Sequence, residues 1–136
     1  MADSKIKISN GELLDRISIL ELKMLRIEDP DKSAIIKREF YELNSHCVNL
    51  FTKNDSTLQV LYLELARING KIWDLENEIR DIKTSDKKFI LTTKKIFKYK
   101  QIRNDIKNDI NFITGSDYLD FKAYDSQKNI PNIWAW

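Results

Sequence analysis

The amino-acid sequence predicts an all-α protein, an antiparallel bundle of about four helices with long central members. Between Leu58 and Ile82, apolar residues recur at alternating steps of three and four, a heptad pattern that only an α-helix places on one line. The residues of this line are Leu58, Leu61, Leu65, Ile68, Ile72, Leu75, Ile79 and Ile82. Gly and Pro occur only 3 and 2 times, which disfavours an all-β fold with many tight turns. The polar breaks between helical segments are short, as expected between antiparallel neighbours.

A capping box predicts the start of the first helix. Ser9 is followed three residues later by Glu12, so the hydroxyl can accept a free backbone N–H while the carboxylate reaches back. We expect a short extended arm before Ser9 and a helix from there to about Ile27. Its inward residues are predicted to be Leu13, Ile17, Leu20, Met24 and Ile27.

The second helix is predicted to begin at Pro30, with Asp29 as its cap, and to reach about Phe51. Pro suits the first helical position because that position has no intrahelical N–H bond to lose. The inward residues of this helix are predicted to be Ile36, Phe40, Leu43, Cys47 and Leu50.

Two further breaks delimit the last two helices. Asp55 or Ser56 is a predicted cap for the heptad helix, and a fourth helix is predicted from about Asp86 to Thr114, with Gly115 as its stop. Its inward residues are predicted to be Phe89, Ile96, Tyr99, Ile102, Ile106, Ile110 and Ile113. Folding the chain back between these helices brings Asp81 near Lys88 and Asp74 near Lys95, so opposite charges are expected to face each other.

Length and composition favour a single domain. We expect an arm at residues 1–9, a helical bundle at 10–115 and an irregular aromatic tail at 116–136, with 42% apolar and 32% charged residues. One Cys and one His exclude an intrachain disulfide and a Cys/His zinc cluster within one chain. The start lacks the apolar core of a signal peptide and no run has the length of a membrane span, so a cytoplasmic protein without membrane partners is expected.

Residues 9–23 resemble the opening of a family of short bacterial proteins of unknown function. Its signature is Gly-Glu-Leu-x-Asp-Lys/Arg-Ile-Thr/Ser-Ile-Leu-Glu-x-Lys, and this chain reads Gly-Glu-Leu-Leu-Asp-Arg-Ile-Ser-Ile-Leu-Glu-Leu-Lys from Gly11. The resemblance continues at Asn69, residues 72–80, Arg103, 106–107, 110–111, 115–116 and 121–124, while Lys100-Gln101 replaces the usual Asn-Asp pair. It implies a helical architecture and no particular reaction.

A second line on the heptad helix is the first candidate site. Asn69, Trp73, Glu76 and Arg80 follow one another at steps of four, three and four, so one flank carries an amide, an indole, a carboxylate and a guanidinium. Such a mixture can bind a polar ligand in a groove between helices. The alternative is that Trp73 only packs and Glu76 pairs with Arg80. If the flank is a site, we expect it to face Glu21 or Lys23 of the first helix or Lys107 of the last.

Glu12 and Asp15 are candidates for a metal site. Carboxylates three residues apart on a helix can hold Mg²⁺ against phosphates, as in all-α nucleotide pyrophosphatases. The plainer alternative is that acids are favoured in the first helical turn by its free N–H groups and dipole. No Ser-His-Asp or Cys-His constellation and no Gly-rich phosphate loop is found, so no catalytic residue and no cofactor are predicted.

Two further surface features are candidates for contact with a partner. A basic face on the last helix, interleaved with aromatic residues, can contact an anionic polymer such as nucleic acid or can be a solvated surface; it consists of Lys87, Lys88, Lys94, Lys95 and Lys98. The tail ends in apolar residues that either cap the bundle or contact another copy: Ile133, Trp134 and Trp136.

Three functions therefore stay open, and the sequence does not decide whether the protein is an enzyme. The first is a non-catalytic helical interaction or scaffold protein that self-associates, which the long heptad line and the aromatic end favour. The second is an enzyme or binding protein for a phosphate-bearing or sugar-nucleotide ligand in an interhelical groove. The third is nucleic-acid binding through the basic last helix.

Overall fold

The computed structural model describes residues 3–54 and 56–117, and these residues form an all-α fold of four helices without a strand. The helices are α1, Asn10–Arg26; α2, Pro30–Lys53; α3, Ser56–Ile79; and α4, Lys87–Thr114. Each boundary lies within about three residues of its predicted position, which confirms the predicted fold class. Residues 3–9 precede α1 as a non-helical arm. The predicted cap Asp55 and the interface candidates Ile133, Trp134 and Trp136 lie outside the described residues.

The predicted caps explain where the helices begin. Ser9 Oγ accepts a hydrogen bond from the Glu12 amide at 3.1 Å, and Asp29 accepts one from the Lys32 amide at 3.2 Å before Pro30. Each of these bonds satisfies one of the N–H groups that a helix N-terminus leaves unpaired. The Glu12 carboxylate, which a capping box would turn back toward Ser9, instead accepts a hydrogen bond from Lys107 of α4.

The end of α4 depends on a left-handed residue. Gly115 has φ of 69°, and its N–H donates to the carbonyls of Asn111 and Phe112. A residue with a Cβ is strained in this conformation, so the glycine marks where the helix stops.

The four helices do not contribute equally to the core. α1 packs against each of the other three helices and α3 packs extensively against α4, whereas α2 packs mainly against α1. The residues that are fully buried at the centre are Leu14, Ile17, Leu58, Leu65, Ile68 and Ile110. The bundle is therefore a three-helix core of α1, α3 and α4 with α2 laid against α1.

The position of α2 changes one sequence prediction. Of its predicted inward residues only Cys47 is buried, at 2% exposed, while Ile36, Phe40, Leu43 and Leu50 are only partly buried. Heptad spacing identifies the apolar side of a helix but does not reveal how many neighbours cover it.

Two ion pairs join α3 to α4, which follow each other in the chain and pack together. Lys88 Nζ lies 3.6 Å from Glu78 Oε1, and Lys100 Nζ lies 3.2 Å from Glu76 Oε1. Asp74, expected near Lys95, pairs instead with Arg26 at the end of α1. No helix among residues 3–54 and 56–117 has the length and apolarity that crossing a membrane requires.

Candidate functional site

A polar network occupies the place where α1, α3 and α4 meet. Asn69 of α3 is its centre and is only 4% exposed. Its Nδ2 donates to Asp15 Oδ1 and to Ser18 Oγ, both at 2.8 Å, and its Oδ1 accepts from Arg103 Nη1 at 3.2 Å. Because both ends of the amide are engaged, the side chain is held in one orientation and connects three helices.

Lys107 of α4 extends this network to the start of α1. Its Nζ donates to Glu12 Oε2 at 2.7 Å and lies 3.8 Å from Asp15 Oδ2. The lysine side chain is 12% exposed and that of Asp15 is 9% exposed, so this attraction acts with little solvent screening. The hydrogen bond from Lys107 is the main reason that the pKa of Glu12 lies below its usual value, and burial opposes it.

A close contact of backbones positions α1 on α4. Gly11 N donates to Asn111 Oδ1 at 2.6 Å, and a Cβ at Gly11 would lie 2.3 Å from the carbonyl oxygen of Lys107. Only glycine fits this contact. Asn10 adds two bonds to the end of α4, from its N to Ser116 Oγ and from its Nδ2 to Thr114 Oγ1, both at 2.9 Å. These bonds fix the register of the two helices.

The network is electrically balanced. Glu12 and Asp15 supply two negative charges, and Arg103 and Lys107 supply two positive charges. Both carboxylates lie beside Lys107, and no cluster of three or more His, Cys, Asp or Glu side chains suited to a metal occurs among the described residues. A closed neutral network of this kind specifies how helices pack, and Arg103 provides further donors at its partly exposed edge.

A row of amides lies beside the network on α4. Asn104 and Asn108 are four residues apart and Asn111 follows three later, so all three share one side of the helix; they are 4%, 1% and 1% exposed. Both polar atoms of the Asn104 side chain, Gln101 Oε1 and Asn111 Nδ2 are buried without a hydrogen-bond partner. Because an unpaired buried amide atom costs about 1–3 kcal/mol, these four atoms of Gln101, Asn104 and Asn111 are donors and acceptors that a further partner could satisfy.

The structure divides the predicted flank of α3. Asn69 belongs to the network, whereas Glu76 pairs with Lys100 rather than with Arg80, which is exposed. Trp73 is half-buried, with the Arg26 guanidinium 5.9 Å from its ring centroid. The flank therefore faces two different environments along its length.

The expected partners of the flank are also separated. Lys107 joins the network, Lys23 is half-buried, and Glu21 accepts a hydrogen bond from the Tyr62 hydroxyl. Burial, followed by this bond to Glu21, raises the pKa of Tyr62. A hollow of about 420 Å³ lies elsewhere, lined by Lys53, Asn54, Thr57 and Ile113.

Sequence reasoning predicted Asn69 and Lys107 in one candidate groove, but it assigned Glu12 and Asp15 to a separate metal site. It missed the other polar members of this region: Gly11, Ser18, Arg103, Asn104 and Asn111. A signal was present, because Gly11, Ser18, Arg103 and Asn111 all occur in the segments that carry the family resemblance.

The outer side of α2 carries a second heptad line. Ala34, Tyr41 and Val48 are seven residues apart, and Arg38, Ser45 and Thr52 interleave with them at steps of four and three. Tyr41 is 65% exposed and Val48 is 51% exposed. The apolar residues of this line recur every seven residues, which is one of the two apolar positions of a coiled-coil heptad, and polar residues occupy the other.

The lysines of the basic face predicted on α4 are exposed to solvent. Lys87, Lys88, Lys94, Lys95 and Lys98 are all exposed, and Lys88 pairs with Glu78. Large apolar side chains are exposed among them: Ile90, Leu91 and Phe97.

Comparison with known proteins identifies a family. A family model described as a family of unknown function, DUF6165, matches residues 4–133. No curated protein and no solved structure matches the chain.

Proposed function

This chain belongs to the family of unknown function DUF6165, and we propose that it is a non-catalytic helical interaction protein that self-associates through the outer side of α2. The observation that carries the proposal is the second heptad line on a helix of 24 residues that has one buried residue, Cys47. A long helix covered on one side by a single neighbour leaves apolar surface that another helix can cover.

The apolar line on the outer side of α2 can pair with the same line of a second copy in an antiparallel arrangement. If the twofold axis passes beside Tyr41, Ala34 of each copy lies opposite Val48 of the other, because both are seven residues from Tyr41. Arg38 then comes within reach of Glu42 across the axis, and the symmetry repeats this ion pair. The surface is therefore self-complementary in size and in charge.

The expected association is reversible. Tyr41 and Val48 are already partly covered in the single chain, so pairing gains only part of the about 1.5–3 kcal/mol that full burial of a large apolar side chain provides. This gain must offset the translational and rotational freedom that two chains lose when they associate. The balance predicts a monomer–dimer equilibrium that shifts with concentration.

Cross-linking tests the geometry. Tyr41→Cys places two thiols at the twofold axis, and oxidation should give a covalent dimer, whereas the matched variant Val60→Cys at an exposed position of α3 should not. The native Cys47 is 2% exposed and burial raises its pKa, so its thiol does not compete.

Sedimentation velocity over a range of concentrations tests the energetics. Tyr41→Glu brings two carboxylates together at the axis and should shift the equilibrium to monomer by at least about tenfold, while Val60→Glu should leave it unchanged. A native chain that sediments as a monomer at every concentration contradicts self-association, and cross-linking of both cysteine variants contradicts the assigned surface.

A second function, binding of a phosphate-bearing or sugar-nucleotide ligand, is favoured by the unpaired side-chain amide of Asn104 on α4, the helix that also carries Arg103 and Lys107. Amides can bind hydroxyl groups and a guanidinium can bind a phosphate with two parallel hydrogen bonds. A thermal-shift screen with nucleotides, sugar nucleotides and Mg²⁺ tests it. A rise in Tm that Arg103→Gln abolishes supports this function, and an unchanged Tm with every compound contradicts it.

A further inference from the structure

The N-terminal half of α4 presents a surface that self-association through α2 does not use. Lys87, Leu91, Lys94 and Lys98 follow one another at steps of four, three and four, so they form one exposed line along the helix. Ile90 and Phe97, seven residues apart, lie beside this line. The apolar side chains are strongly exposed, with Ile90 at 55%, Leu91 at 59% and Phe97 at 67%.

This surface has an unbalanced charge. Residues 87–104 contain no Asp or Glu. Lys88 and Lys100 point to α3, where they pair with Glu78 and Glu76. The remaining lysines, Lys87, Lys94, Lys95 and Lys98, have no ion pair within residues 3–54 and 56–117. Within the part of the chain that the structure describes, no acidic side chain neutralises these four lysines.

The mixture of lysines and aliphatic side chains distinguishes between partners. A second copy of the same surface would bring lysines against lysines, which opposes pairing of two such faces. Nucleic acid also attracts lysines through its phosphates, but Phe97 is the one exposed aromatic ring on this part of the described chain that could stack on a base, and Ile90 and Leu91 offer bases neither stacking nor hydrogen bonds. The interface of an anionic bilayer suits both features, because its headgroups attract lysines and its acyl boundary accepts apolar side chains.

We infer that the exposed face of α4 between Lys87 and Lys98 docks on the surface of an anionic lipid bilayer, a contact that needs no membrane span and departs from the expectation of no membrane partner. The helix lies in the plane of the surface, with the lysines at the headgroups and Leu91 and Phe97 at the boundary with the acyl chains. The long aliphatic stems of the lysines allow their ammonium groups to reach the headgroups, while the shorter apolar side chains point into the bilayer.

Vesicle sedimentation of the full chain tests this inference. We compare vesicles of phosphatidylcholine with vesicles of an equimolar mixture of phosphatidylcholine and phosphatidylglycerol, and expect binding to the anionic vesicles that weakens with added salt. The double variant Lys94→Gln/Lys98→Gln should bind about 25-fold more weakly, from about fivefold for each lysine. The matched control Lys32→Gln/Lys71→Gln removes two exposed lysines from α2 and α3, away from the Tyr41 side of α2, and should bind like the native chain.

Apolar substitution separates a bilayer from nucleic acid. Leu91→Gln/Phe97→Gln keeps the charge and should lower vesicle binding about tenfold, because the apolar insertion is lost. Circular dichroism should show unchanged helicity for every variant, since all the altered side chains are exposed. Equal binding of the native chain to both kinds of vesicle, no binding to either, or salt-dependent RNA binding without vesicle binding overturns the inference.

Discussion

The two halves of α4 differ although they belong to one helix. After residue 100 several polar side chains are largely buried and bonded to α1, as with Lys107 and Asn111; before it, lysines such as Lys94 and Lys98 are exposed. The length of α1 explains this. α1 has 17 residues and α4 has 28, or about 26 and 42 Å at about 1.5 Å per residue, so α1 can cover only part of α4. Whether a polar residue is structural or available to a partner thus depends on helix lengths more than on composition.

The largest effect is expected where the backbones of α1 and α4 touch. Gly11→Ala places a Cβ 2.3 Å from the Lys107 carbonyl oxygen and disturbs the hydrogen bond to Asn111. Because backbone must move, we expect a loss of about 3 kcal/mol in the free energy of unfolding, measured by urea denaturation. Gly70→Ala is the matched control: its nearest neighbour is the Arg26 side chain at 4.0 Å, so helix propensity should make this variant up to about 1 kcal/mol more stable. Equal effects of the two substitutions would contradict the close contact.

A smaller loss is expected at the centre of the network. Asn69→Ala removes the hydrogen-bond donor to the buried Asp15 and Ser18 and should cost about 2–3 kcal/mol. Glu76→Gln, on the same flank of α3, breaks a pair in which both side chains are more than 40% exposed and should cost less than about 1 kcal/mol. Urea denaturation of the two variants compares the buried and the exposed end of the flank. A loss at Glu76 as large as that at Asn69 would show that the flank acts as one unit.

This difference indicates what the sequence could predict. Caps and apolar periodicity are local, and they placed Ser9, Pro30 and Gly115 at or next to helix ends. The network is not local: Asp15 and Asn69 are 54 residues apart. Polar residues such as Asn108 interrupt the apolar pattern of α4, so a periodicity argument assigns them to solvent although they are buried. Their burial follows from the position of α1, which no spacing in the sequence encodes.

α2 is the complementary case. Its apolar pattern is as regular as that of α3, yet only one of its 24 residues is fully buried. Periodicity predicted the correct side of the helix and overestimated its coverage, because the number of packed neighbours is a tertiary property. The candidate flank is divided for the same reason. Asn69 in the middle of α3 packs against α1, whereas Arg80 lies past the end of α3 and is exposed.

Glu12 gives the network a dependence on pH. Its folded-state pKa is lowered by Lys107, so the stabilisation is present above the unfolded value of 4.5 and is lost as the pH falls through the lower folded value. The glutamate side chain is 42% exposed, so the effect should stay below about 1 kcal/mol. Unfolding measured between neutral and strongly acidic pH should show the native chain losing its advantage over Glu12→Gln below the unfolded pKa. A difference between the two proteins that stays constant with pH would contradict the pairing.

The smallest effect is expected in the exposed half of α4. Lys94→Gln removes a charge from a side chain without an ion pair among the described residues, so the free energy of unfolding should change by less than about 0.5 kcal/mol. The chemically identical change Lys107→Gln in the other half leaves the buried Asp15 and the partly exposed Glu12 without their cation and should cost about 1–2 kcal/mol, which is less than the loss of one partner of a fully buried pair. Urea denaturation of both variants at neutral pH measures the contrast. If Lys94→Gln cost as much as Lys107→Gln, the N-terminal half of α4 would have to be covered by part of the fold, and its lysines would no longer be available to an anionic partner.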